Sequence, residues 1–191
     1  ILEDINLNTT ATELLFVKYM ADHLAPEGKA AIVVPEGLLF GSTGAHLKLK
    51  TIIIENFAIL GIISMPAGVF RPYASVKTSV IIFAKTKPQD KIWFYELQND
   101  GFSLDEKRNP INENDIPDLL QKWERKIESD QSWWVGVTEV RNNDYNLTAG
   151  RYKKYKTDEI KYETPKKLIS KIRKIEKEII DGISSLENEY L

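Results

Sequence analysis

Cysteine is absent from all 191 residues, which excludes a disulfide framework, a thiolate zinc site and a cysteine nucleophile. A reducing, cytoplasmic home is the default for such a chain. Histidine is scarce as well: His23 and His46 stand far apart on expected helix surfaces, too few and too isolated to hold a metal. No apolar run approaches the roughly 20 residues that span a bilayer, so no membrane partner is expected. The stretch from Ile1 to Thr10 lacks the basic start and apolar region of a signal peptide. Neither sign of charge dominates, with 26 Lys and Arg against 28 Asp and Glu and a net charge of −2, so the surface as a whole does not grip nucleic acid. Phosphate-loop patterns are missing too. Gly41, Ser42, Thr43 and Gly44 have suitable residue types, but neither GxGxxG nor GxxxxGK[ST] is formed, and Lys48 and Lys50 stand at the wrong distance. An ordinary loop is expected there.

What is present is an ordinary globular composition, 42% hydrophobic and 28% charged, in a chain long enough for one substantial core or a core plus an appendage. Thr10 and Glu13 have capping-box spacing, and Leu14, Val17, Ala21 and Leu24 then follow one helical face until Pro26 and Gly28. KAAIVVP, ending at Pro35, is an unbroken apolar run of the kind found in strands covered on both faces in parallel sheets. Glu36 to Gly44 is expected to be a loop at its carboxyl end. Leu47, Ile52, Ile53 and Phe57 predict a second helix, and Ile59 to Ser64 a second buried strand. Helix, strand, helix, strand is the signature of right-handed crossovers in an α/β sheet. The strand from Ser79 to Ala84 follows too closely for a parallel return, so it should pair antiparallel.

Beyond Pro88 the texture changes, and the chain divides into 1–88, an extension over 89–150, and a basic segment with a long helix over 151–191. Lys91 to Leu97 predicts one more strand, and Asn99 to Asn114 is a polar, turn-rich surface excursion. Pro117 to Glu128 predicts a short helix with Leu119, Leu120, Trp123 and Ile127 inward; Ser132 to Leu147 carries Trp133, Trp134, Tyr145 and the turn-forming RNND. Thr164 and Pro165 mark an N-cap and first turn, opening a helix with Leu168, Ile172, Ile175, Ile179, Ile183 and Leu186 in line. That stripe contains a stutter and is interrupted by Gly182. It suits either a helix docked on its own domain or half of an interchain bundle.

The most informative stretch is MPAGVFRPYASVKTSVIIFAK, Met65 to Lys85: a strand breaks at Pro66, enters a turn carrying Phe70, Arg71, Tyr73 and Lys77, and returns as a strand. Loops at the carboxyl ends of parallel strands are where open α/β sheets bind ligands. Pro35, Glu36, Pro66 and Phe70 would rim a crevice there, with Tyr73 and Lys77 beside them; from the residues alone Phe70 reads more readily as a core aromatic plugging the sheet end, since most aromatics are packing residues. Arg151, Lys153 and Lys154 begin a basic zone that continues through Lys156, Lys161, Lys166, Lys167, Lys171, Arg173 and Lys174, interleaved with Tyr152, Tyr155 and Tyr162. Such a zone can follow a phosphate backbone, although Asp158, Glu159, Glu163, Glu176 and Glu178 dilute it.

TTATELLFVKYMADHLAPEGKAAIVVPEGLLF, then MPAGVFRPYASVKTSVIIFAK, then NNDYNLTAGRY together resemble the carboxyl-terminal half of the modification subunit of type I restriction-modification systems. The resemblance covers Thr9 to Lys87, with a weaker patch at Asn143 to Tyr152. It implies a DNA adenine methyltransferase using S-adenosylmethionine, and the C-terminal part of a Rossmann-like class I sheet with its last strand antiparallel, followed by a mostly helical extension. The chain is then expected to be a fragment, inert alone. Its glycine-rich cofactor loop and its Asn-Pro-Pro-aromatic motif are expected upstream; Asn109, Pro110 and Ile111 imitate only the start of the latter. By the same resemblance Phe70 falls where an aromatic lies against the flipped adenine, and Pro35 and Glu36 line the base side of the crevice. DNA, a specificity subunit and a restriction subunit are the implied partners, with the terminal helix as the contact or as a means of self-association. The alternatives are a non-catalytic module docking a specificity subunit or DNA, and a class I methyltransferase acting on RNA or protein.

Overall fold

The computed structural model describes residues 7–154 and 164–190, and side chains as far as residue 186. The chain divides into two compact units, 1–153 and 154–191. The expectations for Tyr155, Lys156, Asp158, Glu159, Lys161, Tyr162 and Glu163 lie outside the described residues.

Helix α1, Thr12–His23, buries Leu14, Val17 and Ala21 on one face. It does not start from a capping box at Thr10. Ala11 is the N-cap, no side chain caps the helix, and the Ala11 amide instead donates to the Thr9 hydroxyl at 3.1 Å. The hydroxyl one position earlier forms a local turn, a competing use open to any Ser or Thr.

Strand β1 is Lys29–Pro35, and the segment after it, expected as a loop, is the short helix α2, Glu36–Phe40. Leu38 and Leu39 are buried there, which draws the chain into a turn of helix at once. Helix α3, Gly44–Asn56, leads into β2, Ala58–Ser64; the turn Met65–Lys77 then leads into β3, Thr78–Ala84. β3 pairs antiparallel with both β1 and β2 and lies between them, as the short connection required. β1 and β2 are therefore parallel to each other without touching. The reading of β1 as a strand covered on both faces is corrected: among the described strands it forms the sheet edge, with Val34 buried and Val33 51% exposed. An apolar run bounded by Gly and Pro does not distinguish a central strand from an edge strand.

Strands β4, Lys91–Glu96, and β7, Ser132–Gly136, extend the same sheet in the order β1-β3-β2-β4-β7. The sheet thus continues past residue 88 into an extension of strands, loops and short helices. A separate hairpin is formed by β5, Asp100–Phe102, and β6, Pro110–Asn114. One face of the sheet packs Ile62, Ile81, Phe83 and Phe94 with α1, α3 and the short helices α5, Val137–Asn142, and α6, Ala149–Tyr152. The other buries Ile63, Met65, Trp93, Tyr95 and Leu97 beneath α4, Ile116–Arg125. Of the four residues expected inward on α4, Leu119 and Trp123 pack on this face, while Leu120 and Ile127 are exposed. Leu120 is turned about 100° from Leu119, and Ile127 lies beyond Lys126, whose left-handed conformation ends the helix.

In the second unit α7, Pro165–Tyr190, is a single helix. The amides of Lys167 and Leu168 donate to the Thr164 carbonyl, so Thr164 does precede its first turn. Leu168, Ile172, Ile175, Ile179, Ile183 and Leu186 are all about half exposed. Among the described residues of its unit, no second element covers this stripe.

Candidate functional site

The carboxyl ends of β1 and β2 flank the start of β3, and the site is built on that junction. β1 ends at Pro35, whose register partner is Thr78, the first residue of β3. The turn from Met65 to Lys77 is fastened where it leaves and where it returns: the Met65 amide donates to the Thr78 carbonyl and the Glu36 amide to the Lys77 carbonyl, each at 2.9 Å. Between these points the Phe70 carbonyl accepts from the amides of Tyr73 and Ala74, which closes one tight loop around Phe70. The Phe70 ring is 39% exposed, so it does not plug the sheet end. Tyr73 is 93% exposed. Pro66 is half-buried, and Lys77 Nζ stands 3.1 Å from Glu36 Oε1.

The hairpin β5–β6 supports the turn from the far side, a role with no signal in the sequence. Gly68 has φ +93°, and a Cβ there would stand 2.7 Å from the Leu104 carbonyl oxygen. Only glycine meets both conditions. Gly68→Ala is expected to cost about 1–3 kcal/mol, read as a lower midpoint in urea unfolding of the residue 1–153 unit. An unchanged midpoint would show that the hairpin yields freely. Asp105 on the same hairpin has its carboxyl held below the usual range, first by the Lys107 amide, then by the Ser103 hydroxyl, with a further contribution from the Arg71 guanidinium.

Beneath α2 lies Lys50, 2% exposed, its Nζ donating to the Leu39 carbonyl at 3.3 Å. Burial lowers its pKa, partly offset by Asp144. The Leu47–Phe57 helical pattern passes over this lysine, which lies within α3 beside the buried Leu49, Ile53 and Ile54 and carries no signal of its own burial. The Leu147 amide donates to the same carbonyl at 3.1 Å, so the carboxyl end of α2 is tied down twice.

The basic residues Arg151, Lys153 and Lys154 are differently placed. The Arg151 guanidinium donates to Asn143 Oδ1 at 3.0 and 3.2 Å. Lys153 pairs with Glu96 at 2.5 Å and lies over the Trp133 ring, whereas Lys154 is exposed. The described residues contain no cluster of acidic or histidine side chains fit for a metal, and no helix among them is long and apolar enough to cross a membrane.

A mixed sheet whose reversed strand separates two parallel ones, with an exposed aromatic turn at their carboxyl ends, defines an α/β domain with a candidate site at its strand ends. Residues 3–161 match the N-6 DNA methylase family, and the chain belongs to that family. It is 32% identical over 149 residues to the EcoEI methylase subunit of a type I restriction enzyme from Escherichia coli, covering 74% of this chain and 30% of that protein. The EcoKI methylase subunit of E. coli K12 is 29% identical, with 80% of this chain and 32% of that one covered. Among solved structures, a chain from a study of complex assembly and conformational transition of the type I R-M system superposes with TM-score 0.68 at 32% identity, covering 95% of this chain and 40% of that chain. A type I modification subunit from Vibrio vulnificus gives TM-score 0.63 at 27% identity, covering 70% and 29%. The chain spans about a third of the length of the curated relatives it matches.

Proposed function

We propose that this chain is part of a type I modification subunit that transfers a methyl group from S-adenosylmethionine to the exocyclic amino group of adenine in DNA, and that it supplies the carboxyl-terminal part of the catalytic domain. The observation that carries the reading is Phe70, an exposed aromatic held on a turn fastened at both ends beside the carboxyl ends of two parallel strands. An adenine amino group inside a duplex is out of reach, so the base must be extruded, and an aromatic face stabilises the extruded state by stacking. Pro35, Glu36, Pro66 and Lys77 surround the base of that turn; Tyr73 contributes surface only.

The residues described here do not fit the cofactor. The segments following β1 and β2 are α2 and the Phe70 turn rather than a glycine-lined loop, and the one close approach a glycine makes near α2, at Gly41, is filled by the His46 ring. Binding of S-adenosylmethionine therefore falls to the rest of the methylase. Calorimetry of the isolated chain with S-adenosylmethionine is expected to show no saturable heat; micromolar binding would place the cofactor site here instead. Among the basic residues, Lys154 and Arg151 suit DNA phosphate contacts, while Lys153 is engaged by Glu96.

The α7 stripe suits the contact with a specificity subunit, and through it with the restriction subunit, because six aligned apolar residues are left about half exposed, with no other element among the described residues of that unit. The same stripe favours the second reading, an interaction module. The deciding experiment is methyl transfer by the full-length subunit assembled with its specificity subunit: labelled methyl on adenine N6 supports the proposal, and label on RNA or protein alone refutes it.

A further inference from the structure

The Phe70 turn is joined to α2 by the Glu36–Lys77 pair, and the two sides of that pair are unequal. Glu36 is the first residue of α2, whose carboxyl end is anchored by buried Lys50 and by the Leu147 amide, both on the Leu39 carbonyl. Lys77 is the last residue of the turn before β3. The backbone bond from the Glu36 amide to the Lys77 carbonyl fixes only the main chain at that point. The side-chain pair adds a second attachment, with Lys77 Nζ 3.1 Å from Glu36 Oε1, and the two side chains are 34% and 17% exposed. Glu36 Oε1 is itself buried and has no hydrogen-bond partner, so the lysine charge is the group that compensates it at this distance. Its partial removal from water makes the pair stronger than a fully exposed one, and leaves Glu36 uncompensated if the lysine is removed.

We propose that Glu36 and Lys77 are positioning residues that hold the Phe70 turn in its base-accepting geometry; this rests on the reading of Phe70 as the stacking face for an extruded adenine. Neither residue needs to touch the base. The pair ties the foot of the turn to a helix that cannot shift without exposing Lys50 and Leu39. A turn held at its foot by backbone bonds alone lets the ring tilt, and misplacement by about 1 Å costs up to about 100-fold in a reaction that depends on orientation.

The test uses the full-length methylase with its specificity subunit on two duplexes: one carries 2-aminopurine in place of the target adenine, whose fluorescence rises when the base leaves the stack, and the other keeps adenine for measuring kcat, because 2-aminopurine has no 6-amino group to accept the methyl. Glu36→Gln and Lys77→Met are each expected to reduce the fluorescence rise and kcat by about tenfold, with KM for S-adenosylmethionine unchanged and with a lower melting temperature only for Lys77→Met, which leaves the Glu36 charge without its partner. The double variant should be no worse than the poorer single one, because both act through one link. Lys77→Arg should stay near the unmodified enzyme, and the exchange of charges in E36K/K77E should recover part of the loss. Multiplying effects in the double variant would overturn the inference. So would a Lys77→Met loss that appears only as weaker DNA binding with a shallower salt dependence, which would make Lys77 a phosphate contact. Phe70→Ala serves as the reference: if it abolishes the fluorescence rise while the two single variants do not, the clamp alone fails. If Phe70→Ala leaves the rise intact, the stacking reading fails and takes the clamp with it.

Discussion

Phe70→Ala in the full-length methylase is expected to lower methyl transfer to adenine by on the order of 10- to 100-fold, since stacking a base on an aromatic side chain is worth about 1–3 kcal/mol. The loss should fall on capture of the extruded base, so affinity for S-adenosylmethionine stays unchanged. Stability should change little, because a ring that is 39% exposed buries only part of its area. Phe70→Tyr keeps the flat face and should keep most of the activity. Equal turnover in the alanine variant, under conditions where chemistry limits the rate, would reduce Phe70 to a packing residue.

The second large effect is expected on assembly. Ile175 and Ile179 lie one turn apart near the middle of the α7 stripe and are 56% and 57% exposed. Replacing both with glutamate should weaken capture of the specificity subunit by roughly 100-fold or more, because central apolar anchors dominate helix interfaces and a charge buried there has no partner. The melting of unit 1–153 should be unaffected, which separates lost docking from lost folding. Undiminished capture would assign the contact to another surface. A change in the mass of the methylase alone on the same substitution would mean that the stripe pairs two copies.

Much of the site was legible before the fold was known, for reasons traceable to particular residues. Pro66 and the short distance from Ser64 to Ser79 forced a turn and an antiparallel return, and those two facts alone put Phe70 at the strand ends. The resemblance to type I modification subunits then assigned the ring a guest. Composition offered no help with support. The hairpin that meets Gly68 reads only as a polar excursion, and its carbonyl at Leu104 acts through backbone, which carries no residue-specific signal. Lys50 was hidden for the opposite reason: its long apolar stem lets it sit in a helical stripe while its charge finds a carbonyl. The capping box at Thr10 failed because two adjacent threonines compete for one helix end, and spacing alone cannot choose between them. α2 was missed because five residues are too few for a period to show.

The insertion of β3 between β1 and β2 also has a bearing on how the molecule comes into being. Neither parallel strand has a neighbour on its inner side until β3 arrives, and β3 follows directly on Lys77. The turn carrying Phe70 therefore cannot take shape as a local event ahead of the sheet. It is assembled by the same step that closes the sheet; on the reading proposed for Phe70, a nascent or partly opened chain would have strands but no face on which to stack a base.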